Sequence, residues 1–150
     1  MAHTHTSLLY HIVFATKQRQ PIIDDQWRVQ LHQYLGGTVR GLGGVALDVG
    51  GVADHVHLLV SLTQNHRIAD FMRELKASTS KWVNQSGFIP TRFEWQRGYG
   101  VFSVNPSLKE TVRCYIQRQE EHHRKQNFEE EFIALLNAHQ IEYDLKYLFD

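Results

Sequence analysis

Val45-Ala46-Leu47-Asp48-Val49-Gly50-Gly51-Val52-Ala53-Asp54-His55-Val56-His57-Leu58-Leu59-Val60-Ser61-Leu62 is the stretch whose reading decides the fold. Val45, Leu47 and Val49 alternate with small or polar residues, Gly50-Gly51 and Asp54 offer turn or bulge chemistry, and residues 55–62 alternate again. Residues 45–62 therefore read as a β-hairpin. In its second arm Val56, Leu58, Val60 and Leu62 fall on one side, and His55, His57, Leu59 and Ser61 on the other. The apolar set calls for a core beneath covering helices. Two imidazoles are left side by side on the opposite face, about 7 Å apart at two residues of rise.

Working outward from the hairpin, residues 7–15 are apolar, aromatic and branched, and read as a buried strand. Pro21 and Asp24-Asp25 punctuate the chain and offer an N-cap. Trp27, Leu31, Tyr34, Leu35 and Thr38 then recur at helical spacing until Gly41, Gly43 and Gly44. Downstream, Ile68, Phe71, Met72, Leu75, Thr79, Trp82 and Val83 define a second amphipathic helix, with Asn65 as its expected cap. A loop with Gly87 and Pro90 leads to a fourth strand over residues 99–104. Asn105-Pro106-Ser107 stops that strand, and Ser107-Leu108-Lys109-Glu110 has the form of a capping box opening a third helix. A shorter helix over residues 128–137 and an extended tail follow. The order strand, helix, strand, strand, helix, strand predicts an α+β, ferredoxin-like βαββαβ antiparallel sheet with an added C-terminal helix. Two helices cover one sheet face and leave the other for a ligand, a partner or an extra helix.

Composition limits the alternatives. The 150 residues read as one domain over 1–150, with a 42% apolar fraction typical of a globular chain. Apolar runs are interrupted by charge well before membrane-spanning length, and Met1-Ala2-His3-Thr4-His5-Thr6 lacks the pattern of a signal peptide. The single cysteine, Cys114, excludes an internal disulfide framework and fits a reducing cytoplasm. Sixteen basic residues balance sixteen acidic ones, so bulk charge announces no nucleic-acid partner. The charges are unevenly placed, however. Lys17, Arg19, Lys76, Lys81, Arg92 and Arg97 lie in basic stretches and are candidate DNA contacts, whereas acids gather at Glu120, Glu121 and Glu129 to Glu131. Ordinary solvated helix faces are the plainer reading of the same residues.

The chemistry sits on one strand and one helix. Two neutral imidazoles as close as His55 and His57 can grip one metal ion, although a polar strand face carrying two histidines looks the same. Leu108, Val112, Tyr115 and Gln119 follow at spacings of four, three and four residues, within one narrow helical stripe. A buried amide needs a partner, so Gln119 offers itself as a third ligand with Tyr115 beside the ion. A tyrosine capping the core with its hydroxyl at the rim remains the alternative. His122 lies close to this stripe, His3 and His5 precede the first strand, and Cys114 points away. Trp95 and Tyr99 suit either base stacking or core packing.

Gly51-Val52-Ala53-Asp54-His55-Val56-His57-Leu58-Leu59-Val60 resembles the HUH motif (His, bulky hydrophobe, His) of the single-tyrosine HUH transposases, TnpA-like, of insertion-sequence family 200/605. Tyr115-Ile116-Gln117-Arg118-Gln119-Glu120-Glu121-His122-His123-Arg124-Lys125 is similar to their catalytic-helix motif, in which Gln follows the nucleophilic Tyr by four. Residues 95–103 and 141–149 are also similar, so the likeness covers nearly the whole chain. The resemblance implies a metal-dependent DNA transposase, cytoplasmic and nucleoid-associated, that recognises single-stranded DNA hairpins near transposon ends. In it Tyr115 attacks a phosphodiester, leaving a 3′-OH and a 5′-phosphotyrosine bond, while His55, His57 and Gln119 hold Mg²⁺ or Mn²⁺. It also implies a homodimer, in which the Tyr helix of one subunit can complete the histidine pair of the other. A nickase or metal nuclease without strand joining, and a non-catalytic ferredoxin-like nucleic-acid-binding domain, remain open beside it.

Overall fold

The computed structural model describes residues 3–149; Met1 and Ala2 of the N-terminal stretch read above, and Asp150, lie outside the described residues. The chain runs β1 (Leu9–Ala15), α1 (Asp25–Gly41), β2 (Val45–Gly51), β3 (His55–Ser61), α2 (Ile68–Ser86), β4 (Gly100–Val104), α3 (Lys109–Gln117), α4 (Gln119–His122) and α5 (Phe128–Ala138). The strands form one sheet in the order β2-β3-β1-β4 with every neighbouring pair antiparallel. This is the expected ferredoxin-like arrangement. Among the described residues no helix is long and apolar enough to cross a membrane.

Alternation within the strands decides which side chains meet which helices. Ile12, Phe14, Val56, Leu58 and Val60 face one way and pack with Leu31 and Leu35 of α1 and Phe71, Met72 and Leu75 of α2. The opposite face is not open. Val13, Ala15 and Phe102 pack there with Phe128, Phe132 and Leu136 of α5. Each such burial stabilises by about 1.5–3 kcal/mol, so these three side chains hold α5 firmly on the sheet. The helix α3 lies against β2, where Gly50 permits close approach: a Cβ at this position would stand 2.7 Å from the Ile116 carbonyl oxygen. The face carrying His55 and His57 is thereby roofed by the C-terminal helices.

Local signals were obeyed at some element ends and overridden at others. Asp24 caps α1, its side chain accepting from the Gln26 amide, and Gly87 ends α2 at φ 71°. Asn65 does not cap α2. The cap position is Arg67, without a side-chain hydrogen bond, and the Asn65 amide instead donates to the Thr63 hydroxyl. Nor does Ser107 open a capping box. Asn105 accepts from the Ser107 amide, closing a short 3₁₀ turn over Pro106–Leu108, and α3 starts only at Lys109. A bulge between Ala46 and Asp48 breaks the simple alternation of β2 and turns Ala46 and Val49, rather than Leu47, onto the helix-covered core.

Candidate active site

The histidine strand is held from both sides. His55 and His57 are sealed from solvent, with ring centroids 5.1 Å apart. Each has its Nδ1 engaged away from the shared centre: His55 Nδ1 lies 2.7 Å from Asp54 Oδ1, and His57 Nδ1 lies 2.8 Å from His11 Nε2. Such outer contacts orient an imidazole and direct its remaining nitrogen. Both Nε2 atoms consequently point toward one place.

The side chain at that place is Glu131, from the apolar face of α5, and it is 1% exposed. Its Oε1 stands 3.0 Å from His57 Nε2, 3.3 Å from His55 Nε2 and 3.1 Å from His123 Nε2. Its Oε2 accepts hydrogen bonds from the Tyr115 hydroxyl and from Gln119 Nε2, the latter at 3.0 Å. Gln119 Oε1 is also 3.0 Å from His55 Nε2. Donor atoms of His55, His57 and Glu131 lie within 4.8 Å of one another. Two imidazoles and a carboxylate at this separation fit a divalent cation. Glu131 was not anticipated from the sequence, nor were His11, Asp54 and His123.

Burial and charge set the protonation of this cluster. Burial favours the neutral acid of Glu131, but the hydrogen bonds from His123, His55 and His57 outweigh it and hold the carboxyl well below its usual range. Burial also pulls His55 down, yet its bonds to Asp54 and Glu131 prevail and raise it to about 9. For His57 burial wins over Glu131 and lowers it to about 4. His11 falls to about 3, chiefly from burial and then from its neighbour His57. Burial, then the bond to Glu131, pushes the Tyr115 hydroxyl well above the ordinary phenol range. The tyrosine is thus protonated in the metal-free chain and tethered to a carboxylate.

The structure brings Tyr115 and Gln119 to the two histidines of their own chain, although not on one helix. Arg118 leaves helical geometry at φ −101°, ψ 21°, so α3 ends at Gln117 and Gln119 opens the separate α4. The expected inward stripe is also shorter, because Leu108 is 52% exposed while Gln119 is buried. His122 packs its ring 4.7 Å from that of Tyr115. Cys114 is exposed, as are His3 and His5. Trp95 belongs to the core, where its Nε1 donates to Thr79 Oγ1.

The basic candidates separate into two groups. Lys17 pairs with Glu94, Arg19 pairs with Glu129 and lies over the Phe149 ring, and Lys76 donates to the carbonyls of Gln96, Arg97 and Gly98. Burial lowers Lys76 to about 8. These three side chains tie loops and tail to the body. Lys81 and Arg92 instead line a polar groove with Ser80, Asn84 and Gln85, and Arg97 is exposed.

Comparison with known proteins points to one family. Residues 4–119 match the family model described as "Transposase IS200 like", a span that takes in both histidines, Tyr115 and Gln119 but stops short of Glu131. The transposase for insertion sequence element IS200 of Salmonella typhimurium is 28% identical, over 79% of this chain and 81% of that one. The ISDra2 transposase TnpA of Deinococcus radiodurans is 24% identical, over 75% and 84% respectively. A crystal structure from Deinococcus radiodurans, provisionally assigned as a transposase, superposes with a TM-score of 0.65 at 25% identity, covering 79% of this chain and 95% of that one. A REP-associated tyrosine transposase solved on a REP hairpin shares the fold, with a TM-score of 0.60 at 12% identity and coverage of 82% and 74%.

Proposed function

The chain belongs to the IS200-like transposase family, a family of DNA-processing enzymes, and from that premise we propose that it cuts and rejoins single-stranded DNA through a covalent bond to Tyr115. The observation that carries this reading is the convergence of the Tyr115 hydroxyl and both histidine Nε2 atoms on Glu131. A nucleophile and a cation-binding set share one buried centre.

In the proposed reaction the Tyr115 oxygen, oriented by the Glu131 Oε2 atom that its hydroxyl faces, attacks the phosphorus of a phosphodiester and gives up its proton to solvent. The bond from phosphorus to the 3′ oxygen breaks, and that oxygen takes up a proton. A 5′-phosphotyrosine remains and retains the energy of the cleaved linkage. A 3′-OH attacking in reverse restores a phosphodiester and frees Tyr115, without ATP. His55, His57 and Glu131 would hold a divalent cation, with Gln119 Oε1 beside them. When bound, such an ion supplies charge stabilisation for the phosphoryl oxygens in the transition state. The mixed nitrogen and oxygen donors suit Mn²⁺ better than Mg²⁺, which prefers oxygen. Asp54 orients His55, and the hydrogen bond from Gln119 keeps Glu131 Oε2 turned toward Tyr115.

The REP hairpin carried by a fold neighbour supports recognition of hairpins at transposon ends by this chain as well. A homodimer belongs to the same reading. Incubating the protein with labelled single-stranded transposon ends and Mn²⁺ tests the reaction. A denaturation-resistant protein–DNA adduct and a rejoined product are expected. An adduct without rejoining would leave a nickase, and no adduct under any metal condition would remove the nucleophile assignment.

A further inference from the structure

The contact between His11 and His57 has no part in the reaction described above. His11 extends from β1 on the same sheet face as His57, with its Nε2 2.8 Å from His57 Nδ1, the ring centroids 5.0 Å apart and the ring planes 27° from parallel. Two imidazole nitrogens that face each other share a single hydrogen between them. The other end of His57 decides who owns it. His57 Nε2 faces Glu131 Oε1 at 3.0 Å, and an ionised carboxylate only accepts. His57 therefore carries hydrogen on Nε2, its Nδ1 accepts, and His11 donates from its own Nε2. The Nδ1 of His11 is left with a lone pair. It has no hydrogen-bond partner among the described residues and is not sealed from solvent. His11 lines a cavity of about 260 Å³ that it shares with Tyr115, Ser103, Thr111 and His139.

We propose that His11 and His57 form a tautomer relay, which converts occupation of the metal site into a hydrogen-bond donor in the cavity beside Tyr115. The inference rests on the metal reading given above. A coordinating imidazole must offer its Nε2 lone pair, so His57 gives up the proton on that atom to solvent. His57 then takes the His11 Nε2 proton onto its own Nδ1, and His11 takes a proton from cavity water onto Nδ1. Two protons sit on the pair before and two after, and both rings stay neutral throughout. Only the outer face of His11 changes character, from acceptor to donor. A phosphate oxygen accepts and never donates. The cavity therefore presents a matching group to a DNA phosphate only when the histidine pair is loaded. His11 is in this sense a positioning residue for His57, and cation and phosphate binding strengthen each other reciprocally.

The test is nitrogen-15 NMR of the imidazole rings in the full chain, first metal-free and then with Zn²⁺, a diamagnetic ion that takes imidazole and carboxylate ligands. His11 and His57 should both carry hydrogen on Nε2 without Zn²⁺ and both on Nδ1 with it. In parallel, His11→Phe, which keeps the ring and loses the acceptor, should weaken Mn²⁺ binding by about 10–100-fold. His11→Gln, whose amide oxygen still accepts near the Nε2 position, should lose less. If the His55 and His57 signals report Zn²⁺ binding while His11 keeps its tautomer, the relay is rejected and the metal reading stands. If Zn²⁺ leaves His55 and His57 unmoved, both are overturned. A metal-free His11 already protonated on Nδ1 also rejects the relay. Should His11→Phe fail to fold, the wild-type spectra decide alone.

Discussion

Tyr115 and Glu131, sixteen residues apart on different helices, are joined by a hydrogen bond from the phenol to the Oε2 atom of the carboxylate, whose Oε1 faces the histidine pair. One buried side chain thereby links the proposed nucleophile to the histidine pair. The experimental consequences concern the two ends of that link first.

Removing the phenol oxygen alone separates chemistry from folding. Tyr115→Phe should abolish the covalent DNA adduct and leave hairpin affinity within a few-fold. The lost bond to an ionised carboxylate costs about 1–3 kcal/mol of stability. Gel analysis of labelled hairpin with Mn²⁺ reads both properties. An adduct persisting in the Phe variant would assign the nucleophile elsewhere.

Removing Glu131 acts on both ends. Glu131→Ala should weaken Mn²⁺ binding and destabilise the metal-free chain by about 2–3 kcal/mol. That is less than an orphaned buried charge usually costs, because Asp54 still pairs with His55. Isothermal titration and urea unfolding measure the two effects. Unchanged Mn²⁺ affinity would restrict Glu131 to a structural role and return the third ligand position to Gln119.

Loading the site should stabilise the fold by mass action. At Mn²⁺ a hundredfold above its dissociation constant, the gain is about 2.7 kcal/mol, or roughly 5–10 °C in Tm for a domain of this size. A thermal melt with and without chelator measures it. His57→Ala should show no such gain, and a wild-type chain whose cleavage survives excess chelator would end the metal assignment.

His32, on α1, supplies a separate pH signature. Burial, then the neighbouring Arg28, lowers it from 6.5 to about 4, and its Nε2 is buried without a hydrogen-bond partner. The ring is neutral in the fold but takes a proton in the unfolded chain below pH 6.5. Its contribution is therefore complete above pH 6.5 and is lost progressively as pH falls toward 4. His32→Leu should lose less stability than wild type between pH 7 and pH 5 in urea titrations. Parallel slopes would show that His32 does not titrate as its surroundings require.

Mixing variants asks whether one chain supplies a whole site. Within the structure Tyr115 reaches the histidines of its own chain. A mixture of His57→Ala and Tyr115→Phe subunits should then stay inactive, since every site carries one lesion. Recovered cleavage after confirmed subunit exchange would mean that α3 crosses to a partner, as the resembled family allows.

Much of this architecture was legible in short-range pattern. Period-two alternation in residues 55–62 located the strand and put His55 and His57 on one face. Four-residue spacing put Tyr115 near Gln119. Glu131 was hidden because it ends an acidic run that reads as a solvated face, and because its partners are remote in sequence. A signal was nevertheless present: Phe128, Phe132 and Leu136 mark the buried side of α5, and Glu131 falls among them. An acid on an apolar stripe asks for a buried partner. His11 was missed although it carried a signal of the same kind, since it shares a strand face with Val13 and Ala15. The break at Arg118 carried no such mark, because no proline or glycine stands there.

In the proposed reaction the roof that α3, α4 and α5 place over the histidine-bearing sheet face would also act as a sieve. An open ferredoxin-like sheet offers a broad platform on which a nucleic acid can lie flat. Here that platform is closed, and beside Tyr115 there is a recess of about 260 Å³. A DNA double helix, whose major groove alone is about 12 Å wide, does not enter a recess of that size. A single extended strand can feed one nucleotide toward it. Discrimination between paired and unpaired DNA at the point of cutting would then follow from the width of an entrance, with no base having to be read.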